Sequence, residues 1–168
     1  MTLEDLNACD RQAFAEAVGG VFEHSPWVAE RAWNYRPFAS VDALHAAMTS
    51  VVAAVNRSAQ LALLRAHPDL GTRARAGTPM SDASAAEQAG AGLDRLGPEV
   101  LEELLRLNDV YRRRFGFPFV LAVRESTAAQ VLDALAERVS APPEEEFAEA
   151  MRQVARIARF RLEALLVE

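Results

Sequence analysis

Lysine is absent from this sequence, so all eighteen of its Lys-plus-Arg positions are arginine. Against twenty-four acidic residues they leave a formal net charge of −6. An acidic chain without a basic block is a poor fit to nucleic acid, which needs clustered positive charge. Cysteine occurs once, at Cys9. That excludes an intrachain disulfide and any multi-cysteine zinc site, and leaves Cys9 expected as a small buried hydrophobe. No run approaches the roughly 18 apolar residues of a membrane-spanning helix. The beginning, with Glu4 and Asp5, lacks the basic and apolar regions of a signal peptide. The end, Leu166-Val167-Glu168, is not a peroxisomal Ser-Lys-Leu address. A cytoplasmic setting is therefore expected. His67, Asp69 and Glu87 offer nitrogen and oxygen ligands, but no second histidine stands three or four residues away and no His-Glu-x-x-His occurs. No metal site is expected. Repeats, low-complexity tracts and linkers are missing too, so residues 1–168 are read as a single domain.

What remains is a chain that is 51% hydrophobic, enough for a sizeable core. Its patterning predicts an all-α, single-domain helical bundle. Asp10 is positioned to cap a helix carrying Phe14 and Val18, with Val21 or Phe22 beyond. Ser25-Pro26 reads as a capping residue followed by proline at the first helical position. Ser40 opens a helix with the stripe Val41, Leu44, Met48, Val51, Val52 and Val55. A helix from about Ser58 to Ala66, with Leu61 and Leu64 on one face, must stop before Pro68, which disfavours helical geometry at His67. Pro68 to Ser81 carries Gly71, Gly77 and Pro79 without an apolar period, and is read as a long surface loop. A helix restarts near Ser84. Gly97-Pro98 opens another through Leu101, Leu104, Leu105, Leu107 and Val110, ending near Gly116. Phe117 to Val123 has strand propensity but no visible partner strand, and is placed as a buried extended segment. Thr127 caps the next helix, and Pro142-Pro143 leads into the last.

Three residues break the pattern. In the last helix Phe147, Ala150, Met151, Val154, Ala158 and Leu165 form one stripe, with Arg152, Arg156, Arg159 and Glu163 opposite. Arg161 lies inside the apolar stripe. Such an arginine needs a partner. It is either a buried or interfacial salt bridge, a side chain that snorkels outward, or a planar fork aimed at a substrate carboxylate. His67 closes a helix ahead of a Pro-Asp step. It reads either as a helix C-cap or as a general acid/base, since imidazole titrates near neutrality. His45 is expected in the core and His24 as structural. Glu87 completes a Ser84-Ala85-Ala86-Glu87 capping box by spacing, at a helix start whose free N–H groups also suit an anionic or carbonyl-rich ligand.

Taken together, Leu6-Asn7, Glu23-His24-Ser25-Pro26-Trp27, Arg36-Pro37-Phe38, His67-Pro68-Asp69-Leu70, Ser84-Ala85-Ala86-Glu87-Gln88 and Ala91-Gly92-Leu93 form one ordered series. Asn108, Tyr111, Phe115-Gly116-Phe117-Pro118-Phe119, Ile157-Ala158 and Arg161-Leu162 continue it. The series resembles the 2-oxo-4-hydroxy-4-carboxy-5-ureidoimidazoline (OHCU) decarboxylases over nearly the whole chain. The resemblance implies an all-α fold of that family's own type, a cofactor-free enzyme of urate breakdown yielding (S)-allantoin, a small ureide as substrate and commonly a homodimer. It places the catalytic histidine on His67. It places substrate-binding residues on Pro68, on Ser84, Ala85, Ala86, Glu87 and Gln88, on Phe119, Val120, Leu121, Ala122 and Val123, and on Arg161. Gly71 departs from the pattern, where alanine is expected, and Arg73 fills the basic position nearby.

On that footing, His67 and Glu87 are expected to pair as catalytic residues around the substrate hydroxyl. Arg161 and the Phe119–Val123 backbone would grip its oxygens, and Phe117 and Phe119 would exclude water. An arginine bound tightly to the departing carboxylate would oppose loss of neutral CO2, so Arg161 suits a carbonyl oxygen better. The rival readings are a related cofactor-free lyase or hydrolase on another ureide, and a non-enzymatic helical interaction module.

Overall fold

Thr2, Asp10, Ser40, Asn56, Ser81 and Thr127 each accept a hydrogen bond from the backbone N–H three residues ahead, and each starts a helix. The computed structural model describes residues 1–71 and 80–167, and among these it contains nine α-helices and no strand. They are α1 (Leu3–Ala8), α2 (Arg11–Val18), α3 (Trp27–Ala32), α4 (Val41–Ala54), α5 (Arg57–Arg65), α6 (Asp82–Gly90), α7 (Pro98–Phe115), α8 (Ala128–Arg138) and α9 (Pro143–Leu165). The all-α expectation holds. None of these helices is long and apolar enough to cross a membrane.

The backbone clusters into two compact units, Met1–Leu63 with the chain from Ala155 onward, and Leu64–Val154. In the first, α3 packs on α2 and α4. Leu6, Phe14, Val28, Leu44, Met48, Ala158 and Leu162 are fully enclosed there. In the second, α7 packs on α8. Its core holds Leu104, Tyr111, Phe119, Val131, Leu135 and Ala150. Gly97 precedes Pro98 at the first turn of α7, and Gly116 ends that helix at φ 80°, the left-handed conformation in which glycine carries no Cβ penalty.

Several expectations are corrected. Ser25 does not cap α3; its hydroxyl donates to the Glu23 carbonyl. The cap of α6 is Ser81, not Ser84, so Ser84 and Glu87 both lie inside the helix and form no capping box. Leu105, Val110 and Leu165 face outward. The buried face of α7 is Leu104, Leu107, Asn108 and Tyr111, a helical stripe that includes a polar residue. Cys9 is only half-buried, its thiol donating to the Asp5 carbonyl. His45 is half-buried, with Nε2 2.7 Å from the Ala155 carbonyl.

Candidate active site

Helix α5 stops at Arg65 because Pro68 cannot follow a helical His67. His67 is 5% exposed, and its N–H donates to the Leu64 carbonyl at 3.2 Å. Pro68 is half-buried. The next residues were expected on a surface loop, but Asp69 and Leu70 are buried. Buried backbone needs partners, and here side chains supply them. Asn108 Nδ2 donates to the Leu70 carbonyl at 2.8 Å. Gln88 Oε1 accepts from the Gly71 N–H at 2.9 Å, and its Nε2 lies 3.5 Å from the Asp69 carbonyl. Arg112 donates to the Asp69 carboxylate at 2.9 Å. Residues 72–79, and with them Arg73, Gly77 and Pro79, lie outside the described residues.

Gly71 has φ 80°, and a Cβ added there would lie 2.5 Å from Leu104 Cδ2. The departure from the family pattern is thus matched by a backbone conformation that favours glycine. Gly71→Ala is expected to destabilise the protein by about 1–3 kcal/mol through strain at positive φ and crowding of Leu104. Urea unfolding checks this, and an unchanged midpoint would show that the turn yields freely.

Helix α6 brings Ser84 and Gln88, one turn apart, to its buried side, while Ala85 and Ala86 face outward and Glu87 is half-buried. Through Gln88 this helix is tied to the turn that His67 opens. The predicted extended segment is present: residues 118–123 follow α7 without regular structure, and all but Leu121 are buried. Each end of its grip comes from a different helix. Arg138 donates to the Val120 carbonyl at 2.8 Å, and the Ala122 N–H donates to Gln153 Oε1 at 3.1 Å. Leu121, between them, is half-exposed and makes no hydrogen bond among the described residues.

A buried ionic cluster supports that grip. Arg138 Nε and Nη2 donate to Glu146 Oε1 at 2.8 and 2.6 Å, and the Tyr111 hydroxyl donates to the same oxygen. The Arg138 guanidinium also lies over the Phe119 ring, 4.5 Å from its centroid. Burial, then the bond to Glu146 and that carboxylate's charge, push the Tyr111 hydroxyl well above its ordinary range. Tyr111 therefore stays a donor. Its ring joins Phe115, Phe117 and Phe119 in edge and tilted contacts.

In the first unit Arg161 is buried, so it does not snorkel outward. Its Nη1 donates to Glu23 Oε2 at 2.9 Å and to the Gly20 carbonyl at 3.2 Å. The salt-bridge reading of Arg161 is thus realised, with Glu23 fully enclosed as the counter-charge. His24, at φ 47°, places Nε2 3.5 Å from the other Glu23 oxygen. Sequence reasoning assigned no role to Glu23, Arg138 or Glu146. Glu146 had a signal: it lies four and eight residues before Ala150 and Val154, on the apolar stripe, although it ends an acidic run. Among the described residues no group of three or more His, Cys, Asp or Glu is arranged to hold a metal ion.

A model of the OHCU decarboxylase family matches residues 7–163. The chain belongs to that family. It is 47% identical over 167 residues to the 2-oxo-4-hydroxy-4-carboxy-5-ureidoimidazoline decarboxylase of Halalkalicoccus jeotgali, covering 99% of this chain and 93% of the relative. The protein of the same name from Haloferax volcanii is 49% identical over 162 residues, covering 96% and 94%. The uric acid degradation bifunctional protein of Bacillus subtilis is 45% identical, with 99% of this chain matching 33% of that one. Among solved structures, an (S)-allantoin synthase superposes with a TM-score of 0.81 at 35% identity over 99% of this chain and 54% of the other. An OHCU decarboxylase crystallised with (S)-allantoin shares the fold at a TM-score of 0.71 and 23% identity, covering 88% and 96%.

Proposed function

We propose that this chain decarboxylates OHCU to (S)-allantoin and CO2 in urate breakdown, as a carboxy-lyase without a resident cofactor. Similarity to decarboxylases of that name over nearly the full length of both chains carries the reading. The chemistry is within reach of side chains alone. When the C4–carboxylate bond breaks, its electron pair enters a new C4=C5 double bond, and the displaced C=N pair moves onto nitrogen, which takes a proton. The 4-hydroxyl then gives up its proton as C4=O forms, and C5 gains one and becomes the stereocentre.

His67, paired with Glu87, moves protons between the hydroxyl and the developing stereocentre. Its burial favours one-sided delivery by keeping water away. The Leu121 N–H and C=O, a donor and an acceptor left between two fixed neighbours, suit the amide edge of a ureide. Pro68, Ser84 and Gln88 shape the pocket, with Ala85 and Ala86 contributing backbone. Arg161, already neutralised by Glu23, binds a substrate carbonyl; a charge-balanced guanidinium grips the leaving carboxylate less and opposes CO2 loss less. Residues 1–168 serve as a single domain in this reading, and the assembly is a cytoplasmic homodimer.

The test adds the purified chain to freshly oxidised urate and follows chiral allantoin by circular dichroism. The expected result is a circular dichroism signal with the sign of the (S) enantiomer, rising faster than in the spontaneous reaction. No acceleration over the protein-free control would overturn the reading.

A further inference from the structure

We propose that Asn108 is a positioning residue for His67, fixing the course of the Asp69–Gly71 turn through the Leu70 carbonyl; the role rests on the decarboxylase reading above. Asn108 belongs to the buried stripe of α7, between Leu104 and Tyr111, and is 6% exposed. Its Nδ2 donates to the Leu70 carbonyl at 2.8 Å. Its Oδ1 is buried and makes no hydrogen bond among the described residues. A leucine would fill that place without burying an idle acceptor, so asparagine here works against stability. What it supplies in return is one fixed backbone carbonyl, three residues after His67.

The surrounding bonds show that this is a clamp and not an isolated contact. Arg112, one helical turn beyond Asn108, holds the Asp69 carboxylate. Gln88 holds the Gly71 N–H from α6. Three consecutive residues of the turn are thus tied by three side chains from two helices, and among the described residues Asn108 alone holds the central carbonyl. Leu70 itself is buried, so the bond is shielded from water that would compete for it. The turn begins at Pro68, whose fixed φ transmits the direction of the chain back to His67. Releasing Leu70 lets the imidazole drift from the reacting atoms while the substrate contacts made elsewhere persist. The signature is therefore a loss in turnover more than in binding.

The test compares wild type, Asn108→Leu and Asn108→Asp as full-length chains, with OHCU generated from freshly oxidised urate. Leucine removes the donor and the idle acceptor together; aspartate keeps the shape but opposes the Leu70 carbonyl with a carboxylate oxygen. For Asn108→Leu, kcat is expected to fall about 10- to 100-fold with KM within about threefold, the range in which misplacement of a catalytic group by about 1 Å operates. Its urea midpoint should not fall, and amide hydrogen exchange over residues 66–71 should quicken. Asn108→Asp should show the same split if it folds. A kcat unchanged in Asn108→Leu, or one that falls only alongside the unfolding midpoint, would overturn the positioning role. If wild type does not decarboxylate OHCU, the functional reading fails by itself. Exchange over 66–71 then still decides the clamp, and unchanged exchange in Asn108→Leu sinks it.

Discussion

His67→Asn is expected to abolish accelerated formation of (S)-allantoin while leaving the protein folded. Asparagine approximates the imidazole's size and can still donate and accept hydrogen bonds, but it cannot carry a proton from one substrate atom to another. General acid/base catalysis of this kind is typically worth about 10²–10⁴-fold, and the other two histidines, His24 and His45, lie 43 and 22 positions away in sequence. The turn after His67 is held by Asn108, Gln88 and Arg112, none of which bonds through the imidazole in that grip. The substitution should therefore leave that turn in place. Residual product should be racemic, because the spontaneous route has no preferred face. Circular dichroism of the allantoin, read against total allantoin, separates rate from stereochemistry. Wild-type rate and enantiomeric purity in the variant would remove His67 from the chemistry.

The second large effect is on stability. Glu146→Ala should cost about 3–5 kcal/mol, the range for breaking a buried ion pair and stranding its partner. Glu146 is 1% exposed and receives bonds from Arg138 and Tyr111 at once. Its loss strips the Arg138 guanidinium, whose side chain is only 12% exposed, of the carboxylate it is paired with. For a chain of this size the thermal midpoint should drop by roughly 10 °C. The pair Arg138→Met with Glu146→Leu should recover much of that loss, since removing both charges removes the stranded one. If Glu146→Ala unfolds at the wild-type temperature, water reaches Arg138 and the cluster is not a closed one.

Local rules made most helix starts legible. Asp10, Ser40 and Thr127 cap where their spacing says they should, and Gly116 ends α7. The error at α6 is instructive, because Ser81 and Ser84 are three residues apart and both suit an N-cap. The Ser84–Glu87 spacing imitates a capping box, but the hydroxyl of Ser81 takes the Ser84 N–H first. On α7 an apolar count misdirected the face: Leu105 and Val110 point to solvent while Asn108 points inward. Nothing in the local pattern could show that, because the bond that draws Asn108 inward reaches a carbonyl 38 positions earlier. Arg161 was legible as an anomaly from the helical wheel alone. Its partner was not, since Glu23 is 138 positions away and precedes a turn with no period of its own. His67 drew its rank from the family series; the structure adds its burial and the turn that follows it.

The segment after Phe117 has a consequence for how such a site can change. A strand inside a sheet shares its register with its neighbours, so moving one peptide group drags the whole ladder. Among the described residues the Val120 carbonyl answers to Arg138 alone and the Ala122 amide to Gln153 alone. Shortening or exchanging either side chain retunes one contact and leaves the adjacent one in place. If residues 119–123 meet the substrate as proposed, a different arrangement of donors and acceptors can be matched by single substitutions on α8 or α9.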